Sequence, residues 1–309
     1  MSEPETLFRV GAREGGKRLD LFLKERIPGL SRVRLQEAIR TRITLSWPAT
    51  VRPATPVRPG GTVRIGWVPL PEEPLALELP VLARGDAWLA VDKPAGIPVH
   101  PVNRVRENSL IRMLRRQEGV ESLRLVHRLD RETTGVLLIA ATPAAARSLA
   151  GAFERGEVDK QYLALVSGEV AAEEGEIDLP IGDRPGRKVF VRREPGSGAQ
   201  ARTRWRIERR LSGRTLLRLF PATGRRHQLR VHLAALGHPI LGDILYGRPD
   251  RDYLDMVQGV RDARKEEGGP RRQLLHCARL TFATPDCRMP RTVEAPLPAD
   301  FLAALHQLF

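Results

Sequence analysis

The chain has 309 residues, with 51 Lys and Arg against 37 Asp and Glu, a formal net charge of +14 and an isoelectric point near 10.9. Hydrophobic residues, at 41%, suffice for a core and exclude global disorder, and no apolar run is long enough for a transmembrane helix. Met1–Gly16 does not read as a signal peptide, and two cysteines (Cys277 and Cys287) exclude a disulfide framework or a Cys-built zinc site, so a cytoplasmic protein is expected.

From the amino end, Leu19, Phe22 and Leu23 recur at helical spacing within residues 17–28, and Pro28 and Gly29 stop that helix. Ser31 is a suitable cap for a second helix, with Val33, Leu35, Ala38 and Ile39 as its apolar face and Arg32, Arg34, Arg40 and Arg42 beside it. Short strands are predicted at 43–45 and 63–67. Residues 68–80 carry four prolines among acids and read as a linker. The domains expected are therefore 1–67, small and basic, and 81–309. The larger one opens with a strand at 87–92, followed by a helix at 107–118 and strands at 123–126 and 135–141. Thr142-Pro143 is a cap and first turn for a helix running to Arg155. Extended segments follow at 160–168, 187–193, 200–209 and 214–220. A helix at 226–236 ends at Gly237, and a strand at 274–283 and a helix at 299–308 close the chain. Runs of strands with a few helices predict an α+β fold on a mixed, mainly antiparallel sheet. The charged stretch 248–273 is expected to be either a mobile RNA-contacting loop or, the reading preferred, a solvated excursion.

The basic surplus is uneven. Residues 17–66 hold 11 Lys and Arg against 3 acids, and residues 184–230 hold 15 against 2. Two separate concentrations suggest two contact surfaces on a polyanion, most simply a nucleic acid. Three stretches could carry chemistry. Residues 126–135 place His127, Arg128, Asp130, Thr133 and Thr134 in a polar loop between apolar strands, and a surface turn with Asp130 paired to Arg128 or Arg131 is the bland alternative. Residues 224–233 put Arg225, Arg226, His227 and Arg230 at a helix start, with His227 and Arg230 on one face; that is either an anion site or a solvated basic helix. In residues 160–166, alternation sets Tyr162, Ala164 and Val166 on one strand face. There is no Gly-rich phosphate loop, zinc-deaminase signature or serine-hydrolase elbow, and His227 and His232 are spaced wrongly for a metal on one helical face.

His127–Gly135 (HRLDRETTG) closely resembles the catalytic loop of RluA-type pseudouridine synthases. WLAVDKPAGIPVHP (88–101), KQYLALVSG (160–168), GRRHQLRVHLAALGHPILGDILYG (224–247) and LLHCARL (274–280) match the same family in order, over residues 86–300. Residues 16–66 resemble, more weakly, the RNA-binding domain of ribosomal protein S-four type that precedes many of these enzymes. Two positions depart from the pattern: Thr134 stands where the family usually has Ser, and residues 43–56 lack its Val-x-Val-Asn-Gly turn.

The resemblance implies a pseudouridine synthase fold preceded by a small α/β RNA-binding domain. It implies isomerisation of uridine to pseudouridine in RNA, with no cofactor and no metal; a monomer is the default expectation and does not come from the resemblance. Large-subunit ribosomal RNA is the expected target, and transfer RNA the other. Asp130 matches the essential aspartate, Arg230 its basic partner, Tyr162 the active-site tyrosine and Arg128 the side chain that fills the gap left by the flipped base. Further RNA contacts are expected from His127, Arg32, Arg34, Arg225, Arg226 and His227. A non-catalytic RNA-binding or assembly factor on the same fold is the competing reading; a glycosylase is a third, for which no second carboxylate acid is evident.

Overall fold

The computed structural model describes the chain except residues 1–4, 28–31, 67–71, 103–104, 184–188, 190, 259, 263, 265–268, 286–287 and 307–309. It divides into two compact units, Met1–Glu73 and Pro74–Phe309, so the boundary falls inside the stretch read as a linker. Among the described residues no helix is long and apolar enough to cross a membrane.

The first unit carries strand β1 (Glu5–Arg9), helices α1 (Leu19–Arg26) and α2 (Arg32–Thr41), and strands β2 (Ile43–Leu45) and β3 (Thr62–Gly66). The strands pair antiparallel in the order β1-β3-β2. Leu19, Phe22 and Leu23 of α1 meet Leu35 and Ile39 of α2 and Val63 of β3 in a small core of their own. Ser31 and the side chains of Arg32 and Arg34 lie outside the described residues.

The second unit is built on a ten-stranded sheet. Its path runs β4 (Val81–Gly85), β5 (Trp88–Lys93), β7 (Thr134–Ala140), β14 (Leu275–Ala283), β8 (Asp159–Ser167), β13 (Arg214–Pro221), β12 (Arg202–Leu211), β9 (Glu174–Asp178), with β6 (Arg124–Leu125) on β7 and β15 (Pro290–Glu294) on β14. Among the described strand pairs of this sheet only β7–β14 is parallel, so the sheet is mixed and mainly antiparallel. A separate hairpin joins β10 (Ile181–Gly182) and β11 (Glu194–Pro195). Leu75 and Leu79 hydrogen-bond the side chains of Asn108 and Gln117, which ties the approach to β4 to this unit.

Helices α3 (Leu110–Glu118), α4 (Pro143–Arg155) and α5 (Gln228–Ala235) pack on one face of the sheet, and α7 (Ala299–His306) packs on the other. Strand β8 shows the partition residue by residue: Tyr162, Ala164 and Val166 join the core under α4 and α5, while Leu163 and Leu165 join the one under α7. Thr142 caps α4 as read, its hydroxyl accepting the Ala145 N–H at 3.1 Å.

Three expectations are corrected. The stretch 187–193 forms no strand among its described residues; Val189 is instead buried against Ala201, Val231 and Tyr246. The helix expected from 226 starts at Gln228, because His227 takes a left-handed backbone (φ 57°) as its cap. And 248–273 is no mere excursion: it contains α6 (Asp250–Gln258), whose Tyr253, Leu254 and Met256 pack against the core holding Val231 and Tyr246.

Candidate active site

Asp130 lies in the turn before β7, and that turn is braced from two sides. Lys93, fully buried at the end of β5, donates its three N–H bonds to the carbonyls of Pro94, Arg131 and Thr133 at 2.7, 2.8 and 3.0 Å. Burial pulls this amine down to about 7. Arg131 and Gly96 exchange two further hydrogen bonds. From the other side Arg272, clamped by Asp300 at 2.5 and 2.8 Å, donates to the Glu132 carbonyl at 3.1 Å. Gly135 then enters β7 with φ +104°, and its Cα face lies against β14 so closely that a Cβ would stand 2.2 Å from the Cys277 carbonyl oxygen. Beside it the Thr134 hydroxyl reaches His276 Nδ1 at 2.9 Å, so His276 is a core residue.

Arg230, in the first turn of α5, is brought to Asp130 across 100 residues of chain. Its Nη1 donates to Asp130 Oδ2 at 3.0 Å, and its Nε and Nη2 grip Asp243 at 2.6 and 2.8 Å. Asp243 is itself fixed by the backbone N–H groups of Leu245 and Tyr246. Burial alone would raise the Asp130 carboxyl; His227, protonated in the acid range where the carboxyl titrates, and then Arg230 and Arg128 outweigh it and leave the carboxyl below its ordinary value.

His227 faces the other carboxylate oxygen, with Nε2 3.9 Å from Asp130 Oδ1. The Tyr246 hydroxyl accepts the Arg193 N–H at 2.9 Å and shares a second hydrogen bond with His227 Nδ1, also 2.9 Å away, which orients the imidazole so that Nε2 faces Asp130. Burial lowers His227 to about 4, so it is neutral at pH 7 and the standing charge beside Asp130 is Arg230. Gln228 anchors the turn before α5: its amide oxygen accepts from Thr223 and Arg225, and its nitrogen donates to the Arg202 carbonyl and the Thr203 hydroxyl.

Asp130, His227, Gln228 and Arg230 line a cleft of about 360 Å³ between α4 and α5, floored by β8 and β13. Tyr162 stands in its wall, buried and hydrogen-bonded to the Cys277 thiol; burial first, then Cys277, holds the phenol protonated far above neutral pH. His127 also lines the cleft, stacked on Phe153 with ring centroids 4.3 Å apart. Its Nε2 accepts the Leu138 N–H at 2.9 Å, and burial holds the ring neutral, down to about 3. Arg128 and Arg226 are exposed at the cleft and make no hydrogen bond or ion pair among the described residues. Arg225 is exposed as well, with its Nε on the Gln200 carbonyl at 3.0 Å.

The structure thus gathers Asp130, Tyr162, Arg230, Arg128, His127, Arg225, Arg226 and His227 around one cavity, while Arg32 and Arg34 belong to the other unit. Reading the sequence assigned no role to Lys93, Asp243, Tyr246 or Arg272. A lysine ending the apolar run Trp88–Val91 was the one local signal for Lys93; the others acquire meaning only from partners remote in the chain.

Comparison with known proteins finds relatives over most of the chain. A family model described as RNA pseudouridylate synthase matches residues 87–235. The ribosomal large subunit pseudouridine synthase D of Xanthomonas campestris is 36% identical over 92% of this chain and 87% of its own length. An uncharacterized RNA pseudouridine synthase of Chloroflexus aurantiacus is 36% identical over 98% of this chain and 94% of its own. The solved structure of human RNA Pseudouridylate Synthase Domain Containing 4 superposes with a TM-score of 0.57 at 27% identity, covering 74% of this chain and 92% of that one.

Proposed function

Because the chain belongs to the RNA pseudouridylate synthase family, and is therefore an isomerase that converts uridine in RNA to pseudouridine, we propose that Asp130 is its nucleophile and that its substrate is large-subunit ribosomal RNA. The observation that carries the role of Asp130 is its asymmetric environment. Oδ2 is held by Arg230, while Oδ1 faces the cleft with no hydrogen-bond partner among the described residues. A carboxylate kept ionised with one oxygen free is suited to trap the positive charge that develops when the N-glycosidic bond breaks. The electron pair leaves with the uracil, which turns over and rejoins the sugar through carbon 5. The proton on carbon 5 must then depart. Tyr162 is a neutral phenol and no resting base, so it serves as a wall and hydrogen-bonding group for the base. Asp130, free again once the carbon–carbon bond closes, takes that proton, and N1 of the base gains one in exchange, which restores the carboxylate and completes the isomerisation.

The target base must leave its stack, at a cost of a few kcal/mol. Arg128, two residues before Asp130, exposed and unpaired, is placed to insert behind it. Arg225, Arg226 and His227 contact the RNA at the mouth of the cleft. His127, its Nε2 already engaged, supports this wall and does not shuttle protons.

The ribosomal target rests on the names of the relatives, several of which are ribosomal large subunit pseudouridine synthases. The unit Met1–Glu73, with its basic surplus, serves as an RNA-docking domain of the S-four type. A chain with two cysteines suits a reducing cytosol, where the enzyme acts as a monomer.

The test is D130N. Purified, folded D130N should bind RNA normally and form pseudouridine about 10⁴-fold more slowly. A normal rate would refute the assignment, and free uracil released by the wild type would identify a glycosylase instead. Mapping pseudouridine in ribosomal and transfer RNA with and without the gene decides the target.

A further inference from the structure

Among the described residues Lys160 is the one cleft cation that is partly buried and left without a protein partner. It lies two residues before Tyr162 on β8, so both side chains leave the same face of the strand, about 7 Å apart along it. Both line the cleft. Lys160 is half-buried, yet among the described residues its ammonium makes no hydrogen bond and no ion pair within 4.0 Å. The titratable groups around it offer none: Asp159 adjoins it in the chain, so alternation sends that carboxylate to the opposite face of β8. The Cys277 thiol on β14 and the His127 ring in the turn before β7 are neutral, and Glu154 on α4 is exposed and unpaired with it.

The other buried cations near the site are treated differently. Lys93 has three carbonyl acceptors, Arg230 two aspartates, and Arg272 an aspartate and two carbonyls. Arg128 and Arg226 lack partners too, but they are exposed and water satisfies them. A partly desolvated ammonium with no protein acceptor gains more from an arriving anion than a fully exposed one does, because less water has to be displaced and the charge is less screened.

We propose that Lys160 is a phosphate subsite: its ammonium receives the backbone phosphate beside the flipped uridine, while Tyr162, two residues further into the strand, faces the base. This rests on the reading that the uridine enters this cleft toward Asp130. The offset between the two side chains is comparable to that between a nucleobase and the phosphate of its own nucleotide. Lysine fits the task as a compact point charge, since one phosphate oxygen is to be met and no planar fork is needed.

The experiment measures dissociation constants for a uridine-containing RNA on which the wild type is active, at several salt concentrations, for wild type, K160M, K160Q and K160R. Single-turnover rates at saturating enzyme are measured alongside. Loss of one phosphate contact should weaken binding several-fold in K160M and K160Q and reduce the slope of log affinity against log salt by about 0.7–0.9. The saturated rate should stay unchanged, and K160R should restore both affinity and slope. Lost packing alone would leave the slope intact. An unchanged slope in both neutral variants overturns the proposal, and so does a reduced saturated rate with a normal slope, which would set the lysine against the base. Activity surviving in D130N would instead refute the underlying site, and it is seen without any Lys160 variant.

Discussion

Arg230 holds two carboxylates with one side chain, which only a guanidinium can do in this geometry. Its Nε and Nη2 form a fork on Asp243, and its remaining Nη1 meets Asp130. Lysine would keep the charge and lose the fork. In R230K the ammonium should stay with the fully buried Asp243, so Asp130 loses its one charged hydrogen bond and only His227 and Arg128 remain to oppose the effect of burial. The Asp130 carboxyl then rises, and the acid limb of the pH profile of kcat/KM moves toward neutral pH; a limb that stays in place would show that Arg230 does not keep Asp130 ionised. The sign follows from linkage. The folded carboxyl titrates below its ordinary value, so in the wild type it favours the folded state at every pH above about 4 and loses that contribution as acid protonates it. The sequence identified the residue types in this site well and their couplings poorly. Asp130 stood out because an aspartate between arginines and threonines, wedged between apolar strands, is unusual. The orientation of His227 was unreadable, since it depends on a tyrosine 19 residues on whose hydroxyl also accepts the Arg193 N–H.

At the level of elements, the most consequential contact is the single parallel pair, β7 beside β14. It fixes where the Asp130 turn ends, and it requires Gly135. With φ at +104° and a Cβ position 2.2 Å from the Cys277 carbonyl oxygen, alanine there meets both an unfavourable backbone and a main-chain clash. G135A should lose about 3 kcal/mol or more in urea unfolding and most of its activity. Stability within about 0.5 kcal/mol of wild type would mean that the strands approach less closely than described. Elements with local signals were legible. Helix α4 announces itself through Thr142-Pro143, and β8 through its alternation. Strands β4, β9 and β15 were not, because short strands at or near a sheet edge draw their stability from pairing with neighbours distant in the chain. Helix α6 was missed for the same reason: its charged face dominates the composition, while the few apolar residues that dock it are recognisable only beside Val231 and Tyr246.

For the whole molecule, the basic surplus separates into two concentrations, one in each compact unit. Each unit has its own core, so removing Met1–Glu73 should leave the second unit folded. The truncated protein should bind ribosomal RNA more weakly and with a shallower salt dependence, because fewer counterions are released. It should keep part of its activity on a short uridine-containing fragment. Equal affinity and equal salt slope would rule out a docking role for the first unit. The sequence by itself determined the mixed, mainly antiparallel α+β class, the positions of the long helices and the family, because periodicity, caps and contiguous motifs are local properties of the chain. Only the tertiary structure decided which charges meet. It set Arg230 between Asp130 and Asp243, used up Lys93 on three carbonyls and left Lys160 unpaired in the cleft, since the cost of a buried charge depends on neighbours that sequence distance does not reveal.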